Sequence, residues 1–387
     1  MIRTTIDYDA AGIFVLNQAL VHGRTERPRA LIAGIARRGF DDKPADDDLM
    51  LKEGKGVIGH VISTAESLII PDVRKNPFYI AGRSSSGSEI AVPIVRDKRP
   101  IGALNLESDR LTAYGEGDLE MLQFFADASA FAIEKAMLHR QLLEKELVDK
   151  QIELARETQS RLFPGKPPQI AGYDIAGVCI PAEEIGGDYY DFISLPRHRI
   201  GVAVADVSGH GISAALLMTA FRGLLRTNAS RFRDPVKVAN AINHLLPEFS
   251  EDSGFVTVVY GLLDPKQDNF NCVCCGQQPP LLLKANREPF WLTQHGQALG
   301  ITQDAHYTDE KQSLVPRDIL AIFTDGVVEL TNSSNVEFGV ERLAAVLSQG
   351  QGLSAKDLIG EVIRATRQFS GMQSYEDDFT LVIIKRV

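Results

Sequence analysis

The segment GGDYYD at residues 186–191 places a carboxylate directly after two glycines. Three later segments also combine Asp with glycine or turn-forming residues: DVSGHG at 206–211, TDG at 324–326 and DDFT at 377–380. Apolar runs with the character of buried strands adjoin the last three segments. Because Asp is rarely buried unless it is paired or bound to a metal, carboxylates at these strand ends predict a shared cleft. An all-oxygen cluster suits hard cations such as Mg²⁺ or Mn²⁺.

The four segments, in this order, resemble the SpoIIE-like branch of the bacterial PPM-type serine/threonine phosphatases over residues 165–387. The resemblance implies that four aspartates are both the catalytic residues and the metal ligands: Asp188, Asp206, Asp325 and Asp377. It also implies that the backbone carbonyl of Val207 is a ligand. Two divalent cations, Mn²⁺ or Mg²⁺, would activate a water molecule and offset the charge of the phosphoryl group.

Three assignments near these ligands stay open. Asp191 is either a ligand or a partner of Asp188, and the family pattern favours Asp188 as the ligand. Asp378 follows the ligand Asp377 and could orient a water molecule or a loop. His210 is either a general acid for the leaving oxygen or a turn residue that opens the following helix.

One segment departs from the family pattern. Residues 274–280 read CCGQQPP, where relatives commonly have an Asn-Ala-Gly-His sequence before the two prolines. The departure concerns the substrate side of the predicted site and leaves all four aspartates in place. It supports an alternative hypothesis, in which the chain is a non-catalytic pseudophosphatase that signals by dimer conformation.

Composition limits the classes of function. The chain has 387 residues, 44% of them hydrophobic, and a net charge of −10. The length predicts two or three domains, and the negative charge argues against general binding of nucleic acid or anionic membranes. Because no segment approaches about 20 apolar residues and residues 1–7 lack a signal-peptide pattern, we predict a cytoplasmic protein. Of the four cysteines, three lie together at 272–275, where buried reduced thiols are favoured over a zinc site.

The sequence of residues 1–131 predicts an α+β unit. Alternating apolar residues at 90–94 and 101–103, separated by the polar segment RDKR, indicate a β-hairpin, and further strands are predicted at 13–16 and 31–36. Helical spacing of apolar residues runs over 116–138. The segments GKGVIG (54–59), IIPDV (69–73), SEIAVPI (88–94) and IGALNLES (101–108) resemble a GAF sensory domain. No strand directly precedes GKGVIG, so the context of a dinucleotide-binding motif is absent.

A charged helix free of Gly and Pro is predicted between the two units, and its positions 148, 152, 155, 159 and 162 have coiled-coil spacing. A solvated spacer helix is the alternative. We predict a GAF-like domain at 1–131, a helical linker at 132–164 and a phosphatase domain at 165–387, the last a sandwich of antiparallel sheets flanked by helices.

The resulting hypothesis is a sensor-regulated phosphoserine and phosphothreonine phosphatase that forms a homodimer through the linker. By resemblance, its substrate is a phosphorylated anti-anti-sigma protein of the STAS type in a partner-switching pathway. The GAF unit would receive an unidentified small-molecule or protein signal.

Overall fold

The computed structural model describes residues 2–16, 32–40, 55–249, 254–284, 288–292, 296–371 and 375–387. The chain divides into two compact units, Met1–Glu146 and Leu147–Val387. The division between them lies inside one long helix. The boundaries of the linker, residues 132 and 164, therefore stay a prediction.

Unit 1 contains one five-stranded antiparallel sheet with the strand order β2-β1-β5-β4-β3. Its strands are β1 (Ala10–Leu16), β2 (Ile32–Arg38), β3 (Leu68–Ile70), β4 (Ser88–Arg96) and β5 (Arg99–Ser108). The predicted hairpin is β4–β5, in which Arg96 pairs with Arg99. The two turn residues, Asp97 and Lys98, both have positive φ, as tight hairpins require.

The two faces of this sheet are covered by different helices. Ile90, Val92, Leu104 and Leu106 lie on one face, in a cluster that includes Leu122, Ala126 and Ala130 of helix α2 (Glu116–Ser160). The opposite face packs against helix α1 (Gly56–Thr64). This arrangement follows from the period of two along a strand, which sends neighbouring side chains to opposite faces. Gly54, the first glycine of the GKGVIG segment, and Leu31 lie outside the described residues.

Helix α2 has 45 residues and continues from unit 1 into unit 2. It joins the two predicted helical ranges, 116–138 and the linker, because no Gly or Pro occurs from residue 118 to residue 163 to interrupt the helix. Along the predicted coiled-coil seam, Val148 is 51% exposed. None of the described helices is long and apolar enough to cross a membrane.

Unit 2 has two five-stranded antiparallel sheets, with strand orders β13-β10-β9-β8-β7 and β12-β11-β14-β15-β6. The first sheet contains β7 (Tyr189–Leu195), β8 (Arg199–Val207), β9 (Val256–Asp264), β10 (Asn269–Cys275) and β13 (Asp309–Ser313). The second contains β6 (Tyr173–Ile180), β11 (Leu281–Leu283), β12 (Phe290–Trp291), β14 (Ile319–Phe323) and β15 (Phe379–Arg386). The predicted antiparallel sandwich is confirmed.

Three hydrophobic clusters hold unit 2 together. Side chains from both sheets, including Val202 and Ile322, form the cluster between them. The outer face of the first sheet packs against α3 (Gly211–Arg231) and α4 (Pro235–Leu245). The outer face of the second sheet packs against α5 (Gly339–Gln349) and α6 (Ala355–Ser370). The result is a four-layer arrangement in which each sheet is covered by helices on its outer side.

The cysteines follow the prediction of reduced core thiols. All four are free, and Cys272, Cys274 and Cys275 are buried in strand β10. Burial raises the pKa of the Cys274 thiol to about 11, so this thiol stays protonated near neutral pH.

Candidate functional site

The four predicted ligands lie at the ends of strands that are neighbours within each sheet. Asp188 directly precedes β7, and Asp206 is the penultimate residue of the adjacent antiparallel strand β8. In the second sheet, Asp325 opens a 3₁₀ turn (Asp325–Val327) shortly after β14, and Asp377 shortly precedes its neighbour β15. Thr324 Oγ1 donates a hydrogen bond of 2.8 Å to Asp188 Oδ2, which joins the two sheets at this edge.

Three of these carboxylates have pKa values that are raised by burial and by neighbouring carboxylates. Asp188 is 1% exposed, and its pKa is raised well above its ordinary value by burial and then by the charge of Asp206. Burial, followed by the charges of Asp325 and Asp377, raises the pKa of Asp206 to about 7. Burial and the charge of Asp377 also raise the pKa of Asp325. Asp188, Asp206 and Asp325 are therefore harder to ionise, because their neighbours are negative and water is excluded.

The donor chemistry of this edge fits a divalent cation. The predicted ligands are all oxygen atoms, and the raised pKa values of Asp188 and Asp206 arise from burial and from like charges, which a bound cation would offset. Within the described part of the chain, however, no group of three or more His, Cys, Asp or Glu side chains is arranged to hold a metal ion. The backbone brings the carboxylates to one edge without drawing their side chains into a compact group.

Val207 and His210 follow Asp206 in the sequence. A Cβ atom on Gly187 would lie 2.9 Å from the carbonyl oxygen of Val207, so this carbonyl adjoins the segment that carries Asp188. His210 is the N-cap residue of α3; it is exposed, and its side chain makes no capping hydrogen bond. Its position fits the turn role, and none of the side-chain contacts found among the described residues assigns it a catalytic one.

Asp191 has a different environment from the predicted ligands. Its side chain is 0% exposed and forms a bidentate ion pair with Arg226 of α3, with N–O distances of 2.7 and 2.8 Å. The Tyr189 hydroxyl also donates to it at 2.5 Å. Both carboxylate oxygens are therefore occupied by protein donors, and Asp191 joins helix α3 to strand β7.

Asp378 also accepts hydrogen bonds from the protein. Its Oδ1 accepts from the Ala182 amide at 2.8 Å, and its Oδ2 accepts from the amides of Gly187 and Asp188 at 2.8 and 3.2 Å. We call residues 182–188 the Asp188 loop. A Cβ atom on Gly186 would lie 2.3 Å from Asp378 Oδ2, which explains why the motif has glycine at this position.

The last turn of α2 also contacts the Asp188 loop. Gln159 Nε2 donates a 2.8 Å hydrogen bond to the carbonyl oxygen of Gly186, and Arg222 Nε of α3 donates to the carbonyl oxygen of Leu162 at 3.0 Å. A cavity of about 340 Å³ lies at this junction, lined by residues that include Arg156, Phe163, Cys179 and Asp188.

The departing segment at 274–277 is internally bonded. The Cys274 thiol donates to the carbonyl oxygen of Gln277 at 3.0 Å, and the Gln277 side chain is buried. The sequence indicates no role in the site for Thr324 or Arg226, and it places Gln159 only in the predicted coiled-coil seam. Thr324 could have been found from its position directly before the Asp-Gly pair, whereas nothing near the other two in the sequence points to their partners.

Two parts of the chain match known protein families. Residues 196–387 match the family model of stage II sporulation protein E (SpoIIE), and residues 2–134 match the GAF domain model. The phosphoserine phosphatase RsbU of Bacillus subtilis is 28% identical over 242 residues, which cover 62% of this chain and 71% of RsbU. The phosphoserine phosphatase RsbP of the same species is 27% identical over 188 residues, covering 48% of this chain and 46% of RsbP.

A solved structure supports the fold of the C-terminal unit. The SiaA-PP2C domain of Pseudomonas aeruginosa superimposes with a TM-score of 0.55 and 17% identity, covering 62% of this chain and 98% of that domain. At this identity the likeness shows the fold alone. Together with the two matched models, it shows that the chain combines an N-terminal GAF domain with a C-terminal domain of the SpoIIE family, which has the PP2C fold.

Proposed function

We propose that the chain is a metal-dependent protein phosphatase that hydrolyses phosphoserine or phosphothreonine. The observation that carries the proposal is the meeting of four aspartates at one edge of the sandwich, in a domain homologous to RsbU and RsbP. The raised pKa values support it, because buried like charges are typical of sites that bind cations.

Two divalent cations, Mn²⁺ or Mg²⁺, are the implied cofactors. The residues that would hold them are Asp188, Asp206, Asp325, Asp377 and the carbonyl of Val207. The chemistry supplied by such cations is activation of water and neutralisation of phosphoryl charge. The hydroxyl of Thr324 would orient Asp188 through its hydrogen bond to Oδ2.

The substrate class follows from homology. RsbU and RsbP are both named phosphoserine phosphatases. We propose a phosphorylated protein as the substrate here, with a STAS-type antagonist of a partner-switching pathway as the specific candidate. The overall charge of −10 disfavours nucleic acid as a partner.

Regulation through helix α2 is part of the proposal. The helix is continuous from the GAF unit into unit 2, and Gln159 near its end bonds to the Asp188 loop. A signal received by the GAF unit could therefore reach the site through one element, provided that the helix has two arrangements. Exposed apolar residues such as Val148 favour pairing of two copies in parallel, and sedimentation of the full chain tests this. A monomer at all concentrations would contradict the dimer.

The alternative is a pseudophosphatase. It is favoured by the departure at 274–277 and by the lack of a compact ligand group among the described side chains. This alternative predicts that signalling in cells survives the loss of individual aspartates.

Hydrolysis of an aryl phosphate with Mn²⁺ distinguishes the two proposals. We expect Asp206→Asn and Asp325→Asn to abolish turnover while circular dichroism stays native, with partial rescue at high Mn²⁺ because one charged ligand is lost. The control Asp304→Asn, at an exposed residue, should behave as wild type. No turnover by folded wild-type protein above a metal-free sample would defeat the enzyme proposal.

A further inference from the structure

The consecutive residues Asp377 and Asp378 differ in what their carboxylates contact. Asp377 is exposed; its Oδ1 accepts the Asp378 amide at 2.7 Å, and its charge raises the pKa of both Asp206 and Asp325. Asp378 is half-buried and accepts three backbone N–H groups that all belong to the Asp188 loop. The first carboxylate faces the other predicted ligands, whereas the second is bonded to the protein backbone.

The Asp188 loop is built around the Asp378 carboxylate. Amides from both ends of the loop donate to this carboxylate. The amide of Ala182 donates to Oδ1, and the amides of Gly187 and Asp188 donate to Oδ2. Gly186 passes so close that any side chain there would overlap Oδ2. A Cβ atom on Gly326, next to Asp325, would lie 2.1 Å from the carbonyl oxygen of Asp378. The glycines of two separate motifs therefore share one physical reason, which is close approach to Asp378.

We propose that Asp378 is a positioning residue for the metal centre, and that Asp377 alone of the pair is a ligand. The Asp378 carboxylate holds the Asp188 loop so that Asp188 lies beside Asp206 and Thr324. This inference rests on the proposed function for the identity of the ligands, but the bonding of the loop does not depend on any activity.

The three backbone amides that bond to residue 378 explain why Asp, and not Asn, is required there. Three N–H groups require acceptors on both carboxylate oxygens, and hydrogen bonds from backbone N–H groups to a carboxylate are charge-assisted. Asn has one acceptor oxygen, and its NH₂ group would face at least one of the amides. Asp378 also contributes to the raised pKa values of Asp188 and Asp206, so its negative charge acts against ionisation of its neighbours. The need to hold the loop explains why a carboxylate is present despite this cost.

The test uses the full chain with two measurements. Hydrogen exchange of residues 182–188 without metal reports on the loop, and Mn²⁺ titration calorimetry reports on the metal centre. We expect Asp378→Ala to remove protection of Gly187 and Asp188, and to weaken Mn²⁺ binding by about 10- to 100-fold, the range for residues that orient metal ligands. Asp378→Asn, which keeps one acceptor, should give intermediate values and covers the case in which the alanine variant does not fold.

Two further variants separate the roles. Asp377→Asn should weaken Mn²⁺ binding with wild-type exchange in the loop. Asp234→Ala is the matched control, because Asp234 also accepts a backbone amide, that of Val236 at 2.9 Å at the start of α4. It should leave both the loop and Mn²⁺ binding unchanged.

Two outcomes would overturn the inference. Weakened Mn²⁺ binding in Asp378→Ala with wild-type loop exchange would make Asp378 a ligand. Faster exchange spread evenly over both sheets would make it a general stability residue. If the wild-type protein binds no Mn²⁺ and hydrolyses no phosphoester, the proposed function fails, while the exchange measurement still decides whether Asp378 holds the loop.

Discussion

Substitution of Arg226 by Ala gives a quantitative test of the role assigned to Asp191. The Asp191 carboxylate is 0% exposed, and the guanidinium bonds to both of its oxygens. Arg226→Ala removes the only cation bonded to that carboxylate among the described residues and leaves donors from Tyr189 and Phe192. A carboxylate without its charge partner in a buried position is strongly unfavourable.

The magnitude can be bounded from these contacts. Removing one partner of a buried ion pair costs about 3–5 kcal/mol. Because the Arg226 side chain is 42% exposed, water can reach the space it leaves, so we expect a loss at the lower end, about 3 kcal/mol. Asp191→Asn in the same chain removes the unpaired charge and should recover part of this loss, as a double-mutant cycle would measure.

Urea unfolding followed by tryptophan fluorescence is the suitable assay. The chain has one tryptophan, Trp291, which lies in unit 2 and contacts Phe323 edge to face at 6.2 Å. The signal therefore reports on the unit that contains the ion pair. The matched control is Arg364→Ala, which removes a guanidinium from an exposed pair with Glu361. It should cost less than about 1 kcal/mol.

The reasoning is refuted if Arg226→Ala costs no more than Arg364→Ala. Asp191 would then not depend on Arg226, and its assignment as a structural residue would lose its main support. Mn²⁺ binding gives a second criterion, since a purely structural Asp191 predicts unchanged metal stoichiometry in any Arg226 variant that folds.

Two further predictions concern one glycine and one buried carboxylate. Gly186→Ala should reduce Mn²⁺ affinity, measured by calorimetry, because the added Cβ would overlap Asp378. The control Gly360→Ala, in open space on α6, should instead stabilise the protein slightly. Equal effects of the two substitutions on Mn²⁺ affinity would contradict the steric argument. Burial and the charge of Glu107, its cross-strand neighbour, raise the pKa of Glu89 from 4.5 to about 8. The folded state holds this proton more tightly than the unfolded state, so the thermal stability of unit 1 should fall as pH rises from 4.5 to about 8. The fall should be smaller in Glu89→Gln. A wild-type melting temperature that does not change over this pH range would contradict the raised pKa of Glu89.

Much of the architecture could be predicted from the sequence, because the signals for it are local. Alternating apolar residues around RDKR predicted the β4–β5 hairpin, and apolar runs next to aspartates predicted strands β8, β14 and β15. Helix α2 joins both predicted helical ranges, 116–138 and the linker, although the apolar pattern weakens after residue 138. The backbone still continues as a helix, since no Gly or Pro stops it.

The segments that carry carboxylates, and their positions at strand ends, follow from the sequence alone, because strand periodicity and turn chemistry act over a few residues. The contacts that distinguish the two members of each nearby pair are seen only in the folded chain. Asp191 differs from Asp188 because Arg226, 35 positions away, occupies it, and Asp378 differs from Asp377 because amides about 190 positions away bond to it. Arg226 meets Asp191 only when α3 packs on the first sheet, and the amides of Gly187 and Asp188 meet Asp378 only when the two sheets assemble, so no local pattern could identify these partners.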